Sequence, residues 1–186
     1  MNYRNHWNRI CNLVAVVVLV GVVLVGQIRA QEPVRGPSGE IVLGVGTINA
    51  VAYSPDGKYI ATCCNLGVLL WDTETWMVLR GDFTDNTNAV IFCVSFSPDG
   101  TKVLTGGSDW AAKLWDVQTG VRIWTFSGHT GWVSSIAFSP DETKVLTGSY
   151  DGTAKLWDAE TGMEIGTFSG HTNYVHSVAY SPDGSK

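Results

Sequence analysis

The phrase Ser-Pro-Asp returns four times, at Ser54-Pro55-Asp56, Ser97-Pro98-Asp99, Ser139-Pro140-Asp141 and Ser181-Pro182-Asp183, at steps of 43, 42 and 42 residues. A fixed period of this size means one supersecondary unit copied in tandem. Each copy is too small to bury its own apolar face and must stack on a neighbour. The last copy stands at the very end of the 186 residues, so an expectation follows that the chain is a piece or truncated form of a longer array.

Each copy spells out a strand, a turn and a strand. Before the phrase, Ile48 to Tyr53, Phe92 to Phe96, Val133 to Phe138 and Val175 to Tyr180 alternate large apolar with small or polar residues. That is the period of a strand with one buried face. Proline presets its own φ and the glycine that usually follows Asp takes a positive one cheaply, which makes the turn. A second strand follows (Lys102–Thr105, Lys144–Thr147), and a third runs into Trp-Asp at 71–72, 115–116 and 157–158. A fourth occupies Val121–Phe126 and Met163–Phe168, and Ser-Gly-His-Thr follows at 127–130 and 169–172. No stretch between these strands has a useful helical period.

Gly-His and Trp-Asp on a period of some forty residues and four strands resemble the WD-repeat β-propeller family. The likeness covers residues 40–186. It implies an all-β propeller of four-stranded blades: three full ones over 45–168, then 175–180 as the first strand of a fourth, an incomplete ring. It also implies a non-enzymatic scaffold that binds other proteins. Two rival readings stand beside this one, a propeller enzyme or metal-binding propeller with a site over the central channel, and an inactive fragment.

The resemblance gives roles to polar residues that would otherwise suggest a hydrolase. His129, Thr147, Asp151 and Trp157 supply the parts of a nucleophile–base–acid grouping. In the family the same positions form a hydrogen-bonded tetrad inside one blade. A catalytic site is single, whereas these positions recur with the repeat. The matching residues are Asn86, Thr105, Asp109 and Trp115 in the second blade, and only Thr62 and Trp71 in the first, where Asn65 replaces the Asp. The family's partner-binding face implicates the loops before the first strand and between the second and third. Those positions carry Ala89, Trp132 and Tyr174, then Ser108, Trp110 and Tyr150. Trp and Tyr suit an interaction surface because they give large contact area. Packing between blades would use Trp132 and Tyr174 equally well.

The amino-terminal end is a different kind of sequence. Arg4 and Arg9 precede an apolar run from Leu13 to Gly26, and Ala30 stands before Gln31-Glu32-Pro33. This is the layout of a signal peptide over residues 1–30 cleaved after Ala30, which makes the mature chain secreted or periplasmic. The alternative is an uncleaved hydrophobic helix: residues 10–28 carry no charge and are just long enough to anchor the chain in a membrane by a single pass. Both put the repeats outside the cytoplasm. Residues 31–39 read as a linker.

All seventeen acidic residues follow Arg29, so removal of the first 30 residues leaves a net charge of −8. That balance argues against nucleic acid as a ligand. Cys63, Cys64 and Cys93 read as small buried filler, and no Cys/His cluster has the spacing of a metal site. No phosphate-cradling loop calls for a cofactor. Finally, the unpaired blades at either end of the arc predict self-association through open strand edges.

Overall fold

The computed structural model describes residues 47–64, 67–81, 83 and 89–185. They form twelve strands and no helix. In chain order these are β1 (Ile48–Tyr53), β2 (Tyr59–Cys64), β3 (Gly67–Asp72) and β4 (Val78–Arg80); β5 (Ile91–Phe96), β6 (Lys102–Gly107), β7 (Ala111–Asp116) and β8 (Arg122–Ser127); and β9 (Val133–Phe138), β10 (Lys144–Ser149), β11 (Ala154–Asp158) and β12 (Glu164–Phe168). Each group of four is one antiparallel sheet whose strands pair in chain order, the meander of a propeller blade. Among the described residues, no helix is long and apolar enough to cross a membrane. The hydrophobic helix expected over 10–28, the cleavage position near Ala30 and the linker 31–39 lie outside the described residues.

The repeated phrases owe their constancy to turn chemistry. Ser54, Ser97 and Ser139 are buried. Each hydroxyl donates to the Asp two positions on, at 2.6–2.7 Å, and accepts the backbone N–H that opens the next strand at 2.9 Å. The Ser139 hydroxyl, with Thr143, holds the exposed Asp141 carboxyl down at about 2. The Asp of each Trp-Asp pair closes the following turn, accepting N–H and O–H from Thr75, Thr119 and Thr161 at 2.7–2.8 Å.

The core lies between sheets, as a repeat too small to fold alone requires. One cluster joins the first and second blades around Val68, Leu70, Val94, Phe96 and Trp115; another joins the second and third around Leu114, Phe126, Val133, Ile136 and Trp157. The inner strand of each blade packs on the second strand of the blade before it. A side chain added at Gly106 would meet Val133 at 2.7 Å, and one at Gly148 would meet Val175 and Val178 at 2.9 Å.

Residues 175–180 take the corresponding seat on the third blade. The Val175 N–H donates to the Ser149 carbonyl at 3.0 Å, and the Val178 N–H donates to the Ser135 hydroxyl at 3.1 Å. No ladder pairs them with another strand among the described residues, so they lie as the innermost segment of a fourth blade without forming sheet.

Among the described residues, three non-glycine residues adopt positive φ: Trp76 (57°), Trp110 (66°) and Glu142 (62°). Trp76 and Glu142 stand in repeat columns where the sister blades have glycine at positive φ, Gly120 and Gly162 for the one and Gly57, Gly100 and Gly184 for the other, and Trp110 stands where the third blade has Gly152. Glu142 uses its side chain to reach the previous blade. It accepts the Asp99 backbone N–H, and its carboxylate lies 3.7 Å from Lys102.

Candidate functional site

In the third blade, β10 and β11 hold Thr147 and Trp157 on neighbouring strands, while the loop entering β9 brings His129 over them. Asp151 sits in the turn joining β10 and β11. The four residues form one continuous hydrogen-bonded chain. The Trp157 Nε1–H donates to Thr147 Oγ1 at 2.9 Å, Thr147 Oγ1 lies 2.7 Å from His129 Nε2, and His129 Nδ1 lies 2.8 Å from Asp151 Oδ2. Burial is the main force pushing the His129 pKa below 6.5, although Asp151 pulls it the other way. The ring is therefore neutral: Nδ1–H donates to Asp151 and Nε2 accepts the Thr147 hydroxyl. Burial works to raise Asp151. Donors from Thr153, Thr130 and His129 outweigh it and hold the carboxyl well below its ordinary value. The His129 side chain is 0% exposed, and both ring nitrogens are committed. Neither lone pair nor N–H is available to a substrate.

The other blades bring fewer of these residues together. In the second, the Trp115 Nε1–H donates to Thr105 Oγ1 at 3.0 Å, while Asp109 is paired with the buried ammonium of Lys113; Asn86 lies outside the described residues. In the first, the Trp71 Nε1–H donates to Thr62 Oγ1 at 3.0 Å, and position 65 also lies outside them.

The candidate partner face is a row of rings that crosses blade boundaries. Phe92 and Trp132 lie 5.3 Å apart between ring centroids, Trp132 and Tyr150 5.7 Å, and Tyr150 stacks on Tyr174 at 4.3 Å and 12°. His176 meets both tyrosines edge-on. Trp132 is 46% exposed and Tyr174 52%. Trp132 thus bridges Phe92 of the second blade and Tyr150 of its own, yet keeps nearly half its surface in solvent. Packing and exposure were rival expectations for this residue; it does both.

Trp110 is 51% exposed on the loop between β6 and β7. Ser108 and Ala89 contribute less. Ser108 is occupied locally, accepting the Val90 N–H at 2.9 Å on its hydroxyl and donating its own N–H to the Val90 carbonyl, and Ala89 is half-buried. Sequence reasoning missed Phe92 and His176. The signal for Phe92 was present: it is a large aromatic where the sister strands have Asn49 and Ser134. Trp110 stands out in the same way, as a Trp where the third blade has Gly152.

Cys63 and Cys64 are buried and Cys93 half-buried, all as free thiols. Burial pushes Cys63 up to about 11 and Cys93 to about 12, so both are protonated and inert.

Comparison with known proteins follows the same four segments. The family described as "WD domain, G-beta repeat" matches residues 41–72, 77–116, 120–158 and 162–186. The chain is 32% identical over 96 residues to Protein RBL of Arabidopsis thaliana, which is half of this chain and 18% of that protein. It is 36% identical over 72 residues to Protein groucho of Drosophila melanogaster, 38% of this chain and 10% of that one. Over 93 residues it is 33% identical to the Periodic tryptophan protein 2 homolog of Dictyostelium discoideum, 48% of this chain and 10% of that protein. The matched stretches thus make up less than a fifth of these relatives' own lengths.

Proposed function

This chain belongs to the WD-repeat family, and from that premise we propose that it is a non-enzymatic, exported scaffold that docks other proteins. The docking face is the row Phe92–Trp132–Tyr150–Tyr174, and Trp110 is a further exposed ring, on the loop between β6 and β7. The observation that carries this reading is the exposure of large rings that already have a fixed geometry. Trp132 is held by Phe92 and Tyr150, and Tyr174 by Tyr150, so binding orders little that is not ordered beforehand. Trp110 adds a cost that stability alone does not explain. A bulky residue at φ 66° is strained by about 1–2 kcal/mol, and the third blade avoids the strain with Gly152.

Against an enzymatic role stands the closed hydrogen bonding of His129, whose two nitrogens serve Thr147 and Asp151. Export rests on the layout of residues 1–30, a basic start followed by an apolar run and Ala30.

Binders selected from a displayed peptide library against the chain test the face. Trp132→Ala with Tyr174→Ala is expected to weaken them at least about ten-fold, the scale of losing hot-spot aromatics, while Met163→Ala on the outer rim leaves them unchanged. Equal binding by all three proteins would refute the assignment. A reporter enzyme active only outside the cytoplasm, fused after residue 40, tests export; its inactivity would overturn that part.

A further inference from the structure

The row of rings carries a charge beneath it. Tyr150 and Trp132 are joined backbone to backbone, the Tyr150 N–H donating to the Trp132 carbonyl at 2.9 Å. The next residue, Asp151, sets its carboxylate under the 130–132 loop. The Thr130 N–H donates to Asp151 Oδ2 at 3.0 Å, and a side chain added at Gly131 would meet the Asp151 nitrogen at 2.7 Å. Each group that the described residues bring to this carboxylate is uncharged: the N–H and hydroxyl of Thr153, the N–H of Thr130 and the neutral imidazole of His129. The Asp151 side chain is 8% exposed, so water and salt screen its charge weakly.

Among the described residues the neighbouring charges are matched. Asp109 meets Lys113, and Lys155 meets Glu164 at 2.8 Å. No Lys or Arg occurs in the loops of this face, 108–110, 128–132, 150–153 and 170–174. One negative charge without a cation thus lies below Trp132, Tyr150 and Tyr174, and the faces of such rings are themselves electron-rich.

We propose that the partner seated on this row presents an arginine, its guanidinium over the exposed part of Trp132 with the Asp151 carboxylate beneath. The proposal rests on the docking reading above and adds the chemistry of the partner. Arginine suits the place better than lysine, because a planar, weakly hydrated guanidinium stacks on an indole. Attraction between cation and ring grows as water is excluded, and the matching of charge selects against acidic partners. Trp110 offers less, since Asp109 in its blade is answered by Lys113.

Two labelled hexapeptides test this, one of alternating glycine and arginine and one with citrulline in place of arginine, which keeps the shape and loses the charge. Fluorescence anisotropy with the full chain in mild detergent at pH 8 is expected to show the arginine peptide bound at least about ten-fold more tightly at low salt, the gap narrowing as salt rises. Trp132→Leu keeps apolar area and removes the indole; it is expected to narrow that gap at least about five-fold. Thr130→Lys, at an exposed position, sets a cation beside Asp151 and also narrows it. Glu160→Gln removes an exposed carboxylate from the turn between β11 and β12, at the opposite end of the blade, and leaves the gap unchanged. Circular dichroism checks that each variant retains its strands. Equal affinity for the two peptides, or a preference for arginine that survives Trp132→Leu and Thr130→Lys, overturns the proposal. The library binders separate it from the docking reading: binders that need Trp132 and Tyr174 but carry no arginine would sink the arginine and keep the face.

Discussion

The second and third blades share one frame and settle its buried polar groups in opposite ways. In the third, a neutral imidazole relays hydrogen bonds from Trp157 through Thr147 to Asp151. In the second, Asp109 is matched by the buried Lys113. The lysine column explains the change. Lys155, the repeat equivalent of Lys113, turns to Glu164 and Thr167 on the outer strand, at 2.8 Å each. The residue opposite Trp115, where Glu164 stands opposite Trp157, is Arg122. At that place the second blade carries a cation, and there Lys113 pairs with Asp109. One substitution on an outer strand thus goes with a different charge arrangement at the heart of a blade.

That contrast can be broken most forcefully at its two threonines. Thr147→Val removes the acceptor of the Trp157 indole N–H and the hydroxyl partner of His129, so two buried groups lose their bonds at about 1–3 kcal/mol each. Thr105→Val strips a partner from Trp115, and the expected loss is about 1–3 kcal/mol. Urea unfolding of the two variants side by side checks the ratio; equal losses would mean that His129 contributes nothing through Thr147.

A smaller effect separates the blades by pH. The His129 pKa is depressed in the folded chain, so the unfolded chain takes up the proton first. Stability from this residue is complete above pH 6.5 and falls as pH drops below it. Asp151, also depressed, adds a second loss only below its ordinary value of 3.8. The melting temperature is expected to decline from pH 6.5 downward in the wild type, and His129→Asn should flatten that first decline. A His129→Asn profile that still falls from pH 6.5 would assign the titration to another group.

The smallest effect belongs to the strained loop of the second blade. Trp110→Gly installs the residue type that the third blade has at this place, Gly152, and is expected to leave stability within about 1 kcal/mol of wild type, on the stabilising side. Calorimetry of the variant decides the sign.

The strands were legible in the sequence because turn chemistry punctuates them. Ser-Pro-Asp and Trp-Asp each fix a reversal through their own side chains, so strand positions follow from local residues. Boundaries shifted by a residue where no side chain sets them; the last strand of the second blade starts at Arg122 rather than Val121. Residues 175–180 show the limit of alternation as a signal. The pattern is a strand's, but a strand is completed by its partner, and none pairs with them among the described residues. The candidate face was legible as a set of aromatic positions but not as a row. Whether Trp132 faces solvent or its neighbours depends on Phe92, some forty residues away, and local sequence does not encode that contact.

Glu142 carries a consequence for how such an array can change over time. By taking a glycine's place in its own turn and reaching the Asp99 N–H and Lys102 of the turn before, it makes the third copy specific to its predecessor. Duplicated units begin as interchangeable parts. A recombined gene that reversed the order of these two would set the glutamate against the Asp56 turn of the first blade, which offers the same backbone N–H but has Tyr59 in place of Lys102, so the ion pair would be lost. The order of the copies is therefore marked by one ion pair, and drift at Lys102 is tied to drift at Glu142, whereas any residue but proline at position 99 keeps the N–H.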